Sequence, residues 1–164
     1  MPNWCQNSLS LVYETKEQRD AIDDMLSGYN DKGGFRSITF EKLIPQPDFG
    51  QEEQKKFEEY AVPNWYTWRC ENWGTKWDAS DPVVNDDKPG VVNCSFDTAW
   101  SPPTPWLEKV VKLAEDLGIG VEYSYIELGC GYYGEYINGE LVEGKTTEEV
   151  FQHFVQNHGA DEYF

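Results

Sequence analysis

Over residues 4–13 polar and apolar positions alternate, with Leu9, Leu11 and Tyr13 in step, a period of two that predicts a strand. The period then lengthens. Ala21, Ile22, Met25 and Leu26 recur at spacings of three and four, the apolar stripe of a helix. Thr15 opens that helix with Gln18 as a capping-box partner, and Gly28 with the turn-forming run 30–34 ends it. Residues 35–40 with Leu43-Ile44 read as a second strand, closed by Pro45 and Pro47. Residues 91–100 alternate most cleanly, with Val92, Cys94, Phe96 and Thr98 on one face and Val91, Asn93, Ser95 and Asp97 on the other. Ser101-Pro102-Pro103-Thr104-Pro105 starts a helix with Thr104 as N-cap, buried through Trp106, Leu107, Val110, Val111 and Ala114 and stopped by Gly118. A strand over 121–128, an antiparallel partner over 129–137 and the turn Asn138-Gly139 lead to a short strand at Leu141-Val142. Thr146 with Glu149 opens a last helix carrying Val150, Phe151, Phe154 and Val155.

Residues 45–90 break this rhythm and read as an insertion. They hold an acid-rich helix over 51–60, a tryptophan-rich segment over 64–78, and a loop with Pro82, Asp86-Asp87 and Pro89-Gly90. The order is β-α-β, insertion, β-α-β, hairpin, helix. That predicts one α+β domain over 1–164: a ferredoxin-like split β-α-β sheet with helices on one face, an inserted Trp-rich helical segment, and an acidic C-terminal hairpin plus helix over 129–164.

Three motifs stand out: Met1-Pro2-Asn3-Trp4-Cys5-Gln6-Asn7, Asn72-Trp73-Gly74-Thr75-Lys76-Trp77-Asp78 and Phe96-Asp97-Thr98-Ala99-Trp100-Ser101-Pro102-Pro103. Through them the chain resembles an Api-like family with a ferredoxin-like domain, encoded by phages and conjugative plasmids. The resemblance spans roughly residues 1–130, with the acidic tail beyond it. It implies the same fold and a mobile genetic element as source, and it implies no catalytic residues.

Charge narrows the function. The chain carries −17 overall, and residues 113–164 hold eleven acids against one base, Lys145. That distribution repels nucleic acid and anionic membrane alike. It suits docking on a basic protein surface, such as one that normally holds DNA or RNA, as well as a solubilising coat. Four cysteines without a CxxC pair and only two histidines predict reduced thiols and no metal or cofactor site. No leader and no membrane span are expected, which points to the host cytoplasm.

Two sets of candidate residues follow. Glu122, Tyr125, Glu127, Tyr132, Tyr133, Glu135 and Glu140 interleave aromatic anchors with acids and form a candidate partner-binding surface; equally, the tyrosines could cover the sheet under the helices. Trp65, Trp68, Arg69, Asn72, Trp73, Lys76 and Asp97 form a candidate pocket for a planar, nucleotide-like ligand, or a core between insertion and sheet. Lys76, Asp78 and Asp97 could form an acid/base group, although carboxylates in such motifs more often fix loops. No catalytic signature is readable. The leading expectation is a non-enzymatic acidic protein that binds and inhibits a basic, nucleic-acid-handling host defence protein. The alternatives are a nucleotide-like ligand binder or enzyme built on the Trp-rich segment, and a structural component of a virion or transfer apparatus.

Overall fold

The computed structural model of the chain describes residues 2–29, 36–49, 64–137 and 139–145. Its spine is β1 (Trp4–Val12), whose alternation buries Cys5, Asn7, Leu9 and Leu11 on one face and turns Gln6, Ser8 and Ser10 to the other. α1 (Lys16–Leu26) follows and buries Ile22, Met25 and Leu26. Its first turn is the expected capping box. The Gln18 N–H donates to Thr15 Oγ1 at 3.2 Å, and Gln18 Oε1 accepts from the N–H groups of Glu14 and Thr15 at 2.7 and 3.1 Å.

The next segment departs from expectation. In place of a strand over 35–40 in the main sheet, β2 (Ser27–Tyr29) and β3 (Arg36–Ile38) form a separate two-stranded ribbon, and Phe40–Leu43 is a helical turn, α2. The reason lies far along the chain. The Asp78 carboxylate accepts from Thr39 Oγ1 and from the Phe40 N–H, each at 2.6 Å, and so caps the turn. Phe40 is then fully buried against Trp73, Phe96 and Trp106, with ring centroids 6.0, 5.8 and 4.8 Å away. Burial of such a ring stabilises by roughly 1.5–3 kcal/mol. Strand preference spans only about 1 kcal/mol, so the tertiary contact wins.

Asn64 caps α3 (Trp65–Asn72) by accepting from the Thr67 N–H at 2.9 Å. The expected loop around Pro82 is instead a strand, β4 (Ser80–Asn85), at the edge of the sheet. A register shift between Ser80 and Val83, with Asp81 at φ 46°, accommodates the proline, which edge strands tolerate. The helices expected over 51–60 and after Thr146 lie outside the described residues.

β5 (Val91–Ala99), α4 (Thr104–Asp116) and β6 (Gly120–Glu127) form a split β-α-β unit, with β1 between its two strands and antiparallel to both. α4 begins at Thr104 itself, with Pro103 in the cap position and no side-chain cap. β7 (Tyr132–Ile137) and β8 (Glu140–Lys145) complete an antiparallel sheet of order β4-β5-β1-β6-β7-β8, their pairing closing at Ile137↔Glu140 around Gly139 at φ 91°. α1, α2 and α4 pack on the face that carries Cys5, Leu9, Leu11, Val92, Cys94, Phe96, Tyr123 and Tyr125.

A buried amide ties the unit together. Asn7 Nδ2 donates to the Cys5 and Phe96 carbonyls at 2.8 and 3.1 Å and to Thr98 Oγ1 at 3.0 Å, while its Oδ1 accepts from the Tyr123 hydroxyl at 2.6 Å. β5 and β6 are thus both hydrogen-bonded to one side chain of the central strand. Burial also pushes the thiols of Cys5 and Cys94 up to about 12, with the Thr98 hydrogen bond pulling Cys5 the other way.

Asn7→Leu leaves the buried Tyr123 hydroxyl without an acceptor and is expected to lower unfolding free energy by about 1–3 kcal/mol; a urea midpoint equal to wild type would refute this. Alkylation at pH 8 should modify exposed Cys130 first and leave Cys5 and Cys94 untouched until the protein unfolds, as read by mass spectrometry; early labelling of either buried thiol would refute the burial argument.

Candidate functional site

The tryptophan-rich segment packs on itself and on the sheet. Arg69 lies between two rings, its guanidinium carbon 5.2 Å from the Trp65 centroid and 4.9 Å from that of Trp73. It also bonds Gln46 Oε1 through Nε and the Lys76 carbonyl at 3.3 Å. Trp68 meets Trp73 edge-on at 5.7 Å, and Asn72 Nδ2 donates to the Trp68 carbonyl at 2.8 Å. Trp73 is buried, and its indole N–H donates to the Ile44 carbonyl at 2.9 Å. The rings of Trp65 and Trp73, expected to take a planar ligand, thus each carry the chain's own guanidinium.

The supposed acid/base group does not assemble. Asp78 caps α2 on the helix side of the sheet and also accepts from the Ala79 N–H at 2.7 Å. Asp97 sits on the opposite face, directly across from Gln6. Lys76 lies 4.0 Å over the Trp77 ring. Gly74, at φ 89°, brings its backbone so close to the start of α4 that a Cβ there would stand 2.7 Å from Pro105 Cδ and 2.9 Å from the Thr104 nitrogen. Two hydroxyls lock this contact, Thr75 to the Ala99 carbonyl at 3.0 Å and Ser101 to the Gly74 carbonyl at 2.7 Å. The second and third sequence motifs are thus one docking joint.

The partner-binding set divides between the two faces of the sheet. Glu122, Tyr133, Glu135 and Glu140 project from the side opposite the helices, while Tyr125, Glu127 and Tyr132 lie on the helix side. Two of the set are buried. Glu127 is buried and accepts from the Gly129 and Cys130 N–H groups, both at 2.7 Å, holding the turn between β6 and β7. Tyr125 is buried, with its hydroxyl donating to Glu143 Oε1 at 3.1 Å; burial and then that carboxylate's charge raise its ionisation well above the ordinary tyrosine value. Parity along the strands accounts for both, because residues 121, 123, 125 and 127 share the helix face with Leu9 and Leu11.

On the helix side of the β7–β8 hairpin the described residues line two hollows, one of about 430 Å³ against α4 and a separate one of about 390 Å³ beside Pro102. The larger has a floor of Tyr136 and Leu141 against Leu107 and Val111, with Glu108, Lys112 and Glu115 on its α4 wall. The smaller is lined by Tyr125, Tyr132, Glu143 and Pro102. The Tyr136 hydroxyl donates to Glu115 Oε1 at 3.1 Å across the larger one. Of these residues only Tyr125 and Tyr132 belong to the expected set. Leu141 and Glu143 could have been found from strand parity, and Glu108, Lys112 and Glu115 from their spacing along the outer face of α4. Among the described residues no group of histidine, cysteine and carboxylate side chains is arranged to hold a metal ion. No described helix is long and apolar enough to cross a membrane.

Asp97 carries a stability signature. Partial burial, and then the nearby Asp81, raise its titration above the ordinary aspartate value. The folded protein therefore holds that proton more readily than the unfolded chain, and ionised Asp97 opposes folding as pH rises through the raised value. Asp97→Asn is expected to melt higher than wild type at pH 7, with the gap closing below about pH 4. A melting temperature at pH 7 equal to or below wild type would contradict the assignment.

No curated protein matches the sequence. Among solved structures, the crystal structure of a protein api92 from Yersinia pseudotuberculosis is similar, with a TM-score of 0.55 over 90% of this chain and 99% of that one. The two are 10% identical, so the likeness is one of fold. A family model described as the ferredoxin-like domain in Api92-like protein matches residues 72–162. That span reaches past the extent expected from the motifs, so the acidic hairpin and residues up to 162 fall inside the matched domain. The description names a fold and no reaction, and the fold agrees with the mixed helices and six-stranded antiparallel sheet found here. With more than half its length matched, the chain belongs to the family of the ferredoxin-like domain in Api92-like protein.

Proposed function

We propose that this chain is a non-enzymatic binding protein, and that the groove between α4 and the β7–β8 hairpin takes a basic, partly apolar segment of another protein. The observation that carries the reading is the groove's composition. Along the two adjoining hollows Tyr136, Leu141, Tyr132 and the edge of Tyr125 offer aromatic and aliphatic contact, with Glu108, Glu115 and Glu143 against Lys112 among the described lining residues. Aromatic anchors supply contact area at interfaces, and surrounding carboxylates steer and select a positively charged partner. The net charge of −17 adds long-range attraction of the same sign preference.

The chain's resemblance, through its three motifs, to a family encoded by phages and conjugative plasmids suggests the kind of partner. A host protein whose basic surface handles nucleic acid, such as a defence protein, would be occupied and blocked by such an acidic surface. The test is capture from host lysate at ~0.05 M and ~0.5 M salt, where exposed charge pairs are weakly and strongly screened. Wild type should retain a basic protein at low salt and release it at high salt. The triple variant Glu108→Lys, Glu115→Lys, Glu143→Lys, confirmed folded by circular dichroism, should lose at least about tenfold in affinity for that protein. Undiminished binding by the folded variant would sink the proposal.

A further inference from the structure

Three tryptophans are exposed at one end of the sheet and have no part in the groove: Trp4 at 39%, Trp77 at 38% and Trp100 at 48%. Each belongs to one of the three sequence motifs. The Trp4 and Trp77 rings lie 6.0 Å apart at 40°. Trp100 is tethered beside them, since its N–H donates to the Asn3 carbonyl at 2.9 Å and it follows Ala99, the strand partner of Trp4. Its backbone is held at φ 71°, a left-handed conformation that a bulky residue adopts only when its surroundings impose it. Those surroundings are the bonds from Thr75 to Ala99, from Thr98 Oγ1 to the Ser101 carbonyl at 2.7 Å, and from Ser101 to Gly74. The fold grips the chain on both sides of Trp100 and leaves its ring half in solvent. Grouped exposed indoles of this kind mark a binding surface more often than a solubility accident.

Two carboxylates lie on the two strands that follow β1 towards the sheet edge. Asp97 is on the same sheet face as Trp4, across from Gln6, and its other strand neighbour Ser80 precedes Asp81. Among the described residues no cation forms an ion pair with Asp97 or Asp81. Gln6, between Trp4 and the Asp97 position, has a buried Oε1 with no donor among the described residues. The Lys76 ammonium lies on the Trp77 ring at 4.0 Å, so an incoming cation takes the other face of that indole or displaces Lys76 from it.

We propose that Trp4, Trp77, Asp97 and Asp81 form a seat for a single basic side chain, an arginine guanidinium or lysine ammonium, presented by a protein partner. It deepens the basic-partner reading above, but on a separate surface. A nucleobase or a sugar ring could use the indole faces equally well. The nucleotide would bring phosphates towards two carboxylates, and the sugar would leave the Asp81–Asp97 repulsion unrelieved. Only a cation gains from both the rings and the acids.

The test uses the full chain with small blocked probes, which cannot span the groove. The tryptophan indole N–H signals are followed by NMR while N-acetyl-arginine amide is titrated in, with N-acetyl-citrulline amide as the uncharged counterpart and methyl glucoside as the sugar control. Saturable shifts of the Trp4 and Trp77 signals with the arginine probe alone are expected, at a millimolar dissociation constant. Asp97→Asn, and separately Trp77→Leu, should weaken that binding by about tenfold, while Glu115→Lys with Glu143→Lys in the groove should leave it unchanged. An equal response to citrulline, a response to the glucoside in its place, or no shift of these two indoles would each overturn the seat. None of those outcomes touches the groove, whose own test is the lysate capture.

Discussion

The carboxamide of Asn7 sits at the middle of the sheet with all its hydrogen-bonding capacity directed inward, and the arrangement around it follows from that. Its nitrogen reaches β5 through the Phe96 carbonyl and Thr98, and its oxygen reaches β6 through Tyr123. A polar group so buried is tolerated only because every partner is present, and the same requirement fixes register: a slip of one residue would turn Asn7 to the opposite face and strand the hydroxyl of Tyr123. Thr98 passes the constraint on, donating in turn to the Ser101 carbonyl. Ser101 holds Gly74, and Gly74 is pressed against the first turn of α4. One amide thus sets the register of three strands and, through two hydroxyls, the place where the tryptophan-bearing loop docks.

This chain of contacts separates what could be read from the sequence from what could not. The alternation in β1 and β5, the stripes of α1 and α4, the Thr15/Gln18 box and the turn before Glu140 are local patterns, and each appears where the spacing puts it. The failures are places where a distant residue decides. Residues 40–43 carry a strand-like composition, but Asp78 caps them into a helical turn and three rings surround Phe40. Residues 80–85 look like a loop because of Pro82, but pairing with β5 makes them an edge strand. The acids were misjudged for a related reason. Composition counts Glu127 as surface charge, whereas strand parity buries it and two backbone N–H groups need it.

The distribution of negative charge therefore matters more than its amount. Glu127 is internal, Glu143 and Glu115 each hold a tyrosine hydroxyl, and Glu122, Glu135 and Glu140 lie across the sheet from them. A uniform solubility coat would leave tyrosine and carboxylate unpaired with each other. Here hydroxyl and carboxylate meet beside the hairpin, Tyr125 on Glu143 and Tyr136 on Glu115, which keeps the rings oriented. An arginine or lysine donor makes a stronger, charge-assisted bond to a carboxylate than a tyrosine hydroxyl does, which is the physical basis of the proposed preference for a basic partner.

At the far end of the sheet the reasoning runs through cost. Trp100 in a left-handed backbone opposes folding by roughly 1–3 kcal/mol, and Asp97 is half-buried with Asp81, another carboxylate, for its neighbour. Neither residue adds to the core, and three indoles are left partly in water beside them. A left-handed tryptophan, two neighbouring carboxylates and the unpartnered amide oxygen of Gln6 thus fall together in one small region. Proteins concentrate such departures where a ligand or partner supplies the missing interaction. A cation laid against the indoles would relieve the carboxylate repulsion and cover the exposed rings at once, which is why the unfavourable terms at Asp97 and Trp100 argue for a partner more strongly than the aromatic surface does alone.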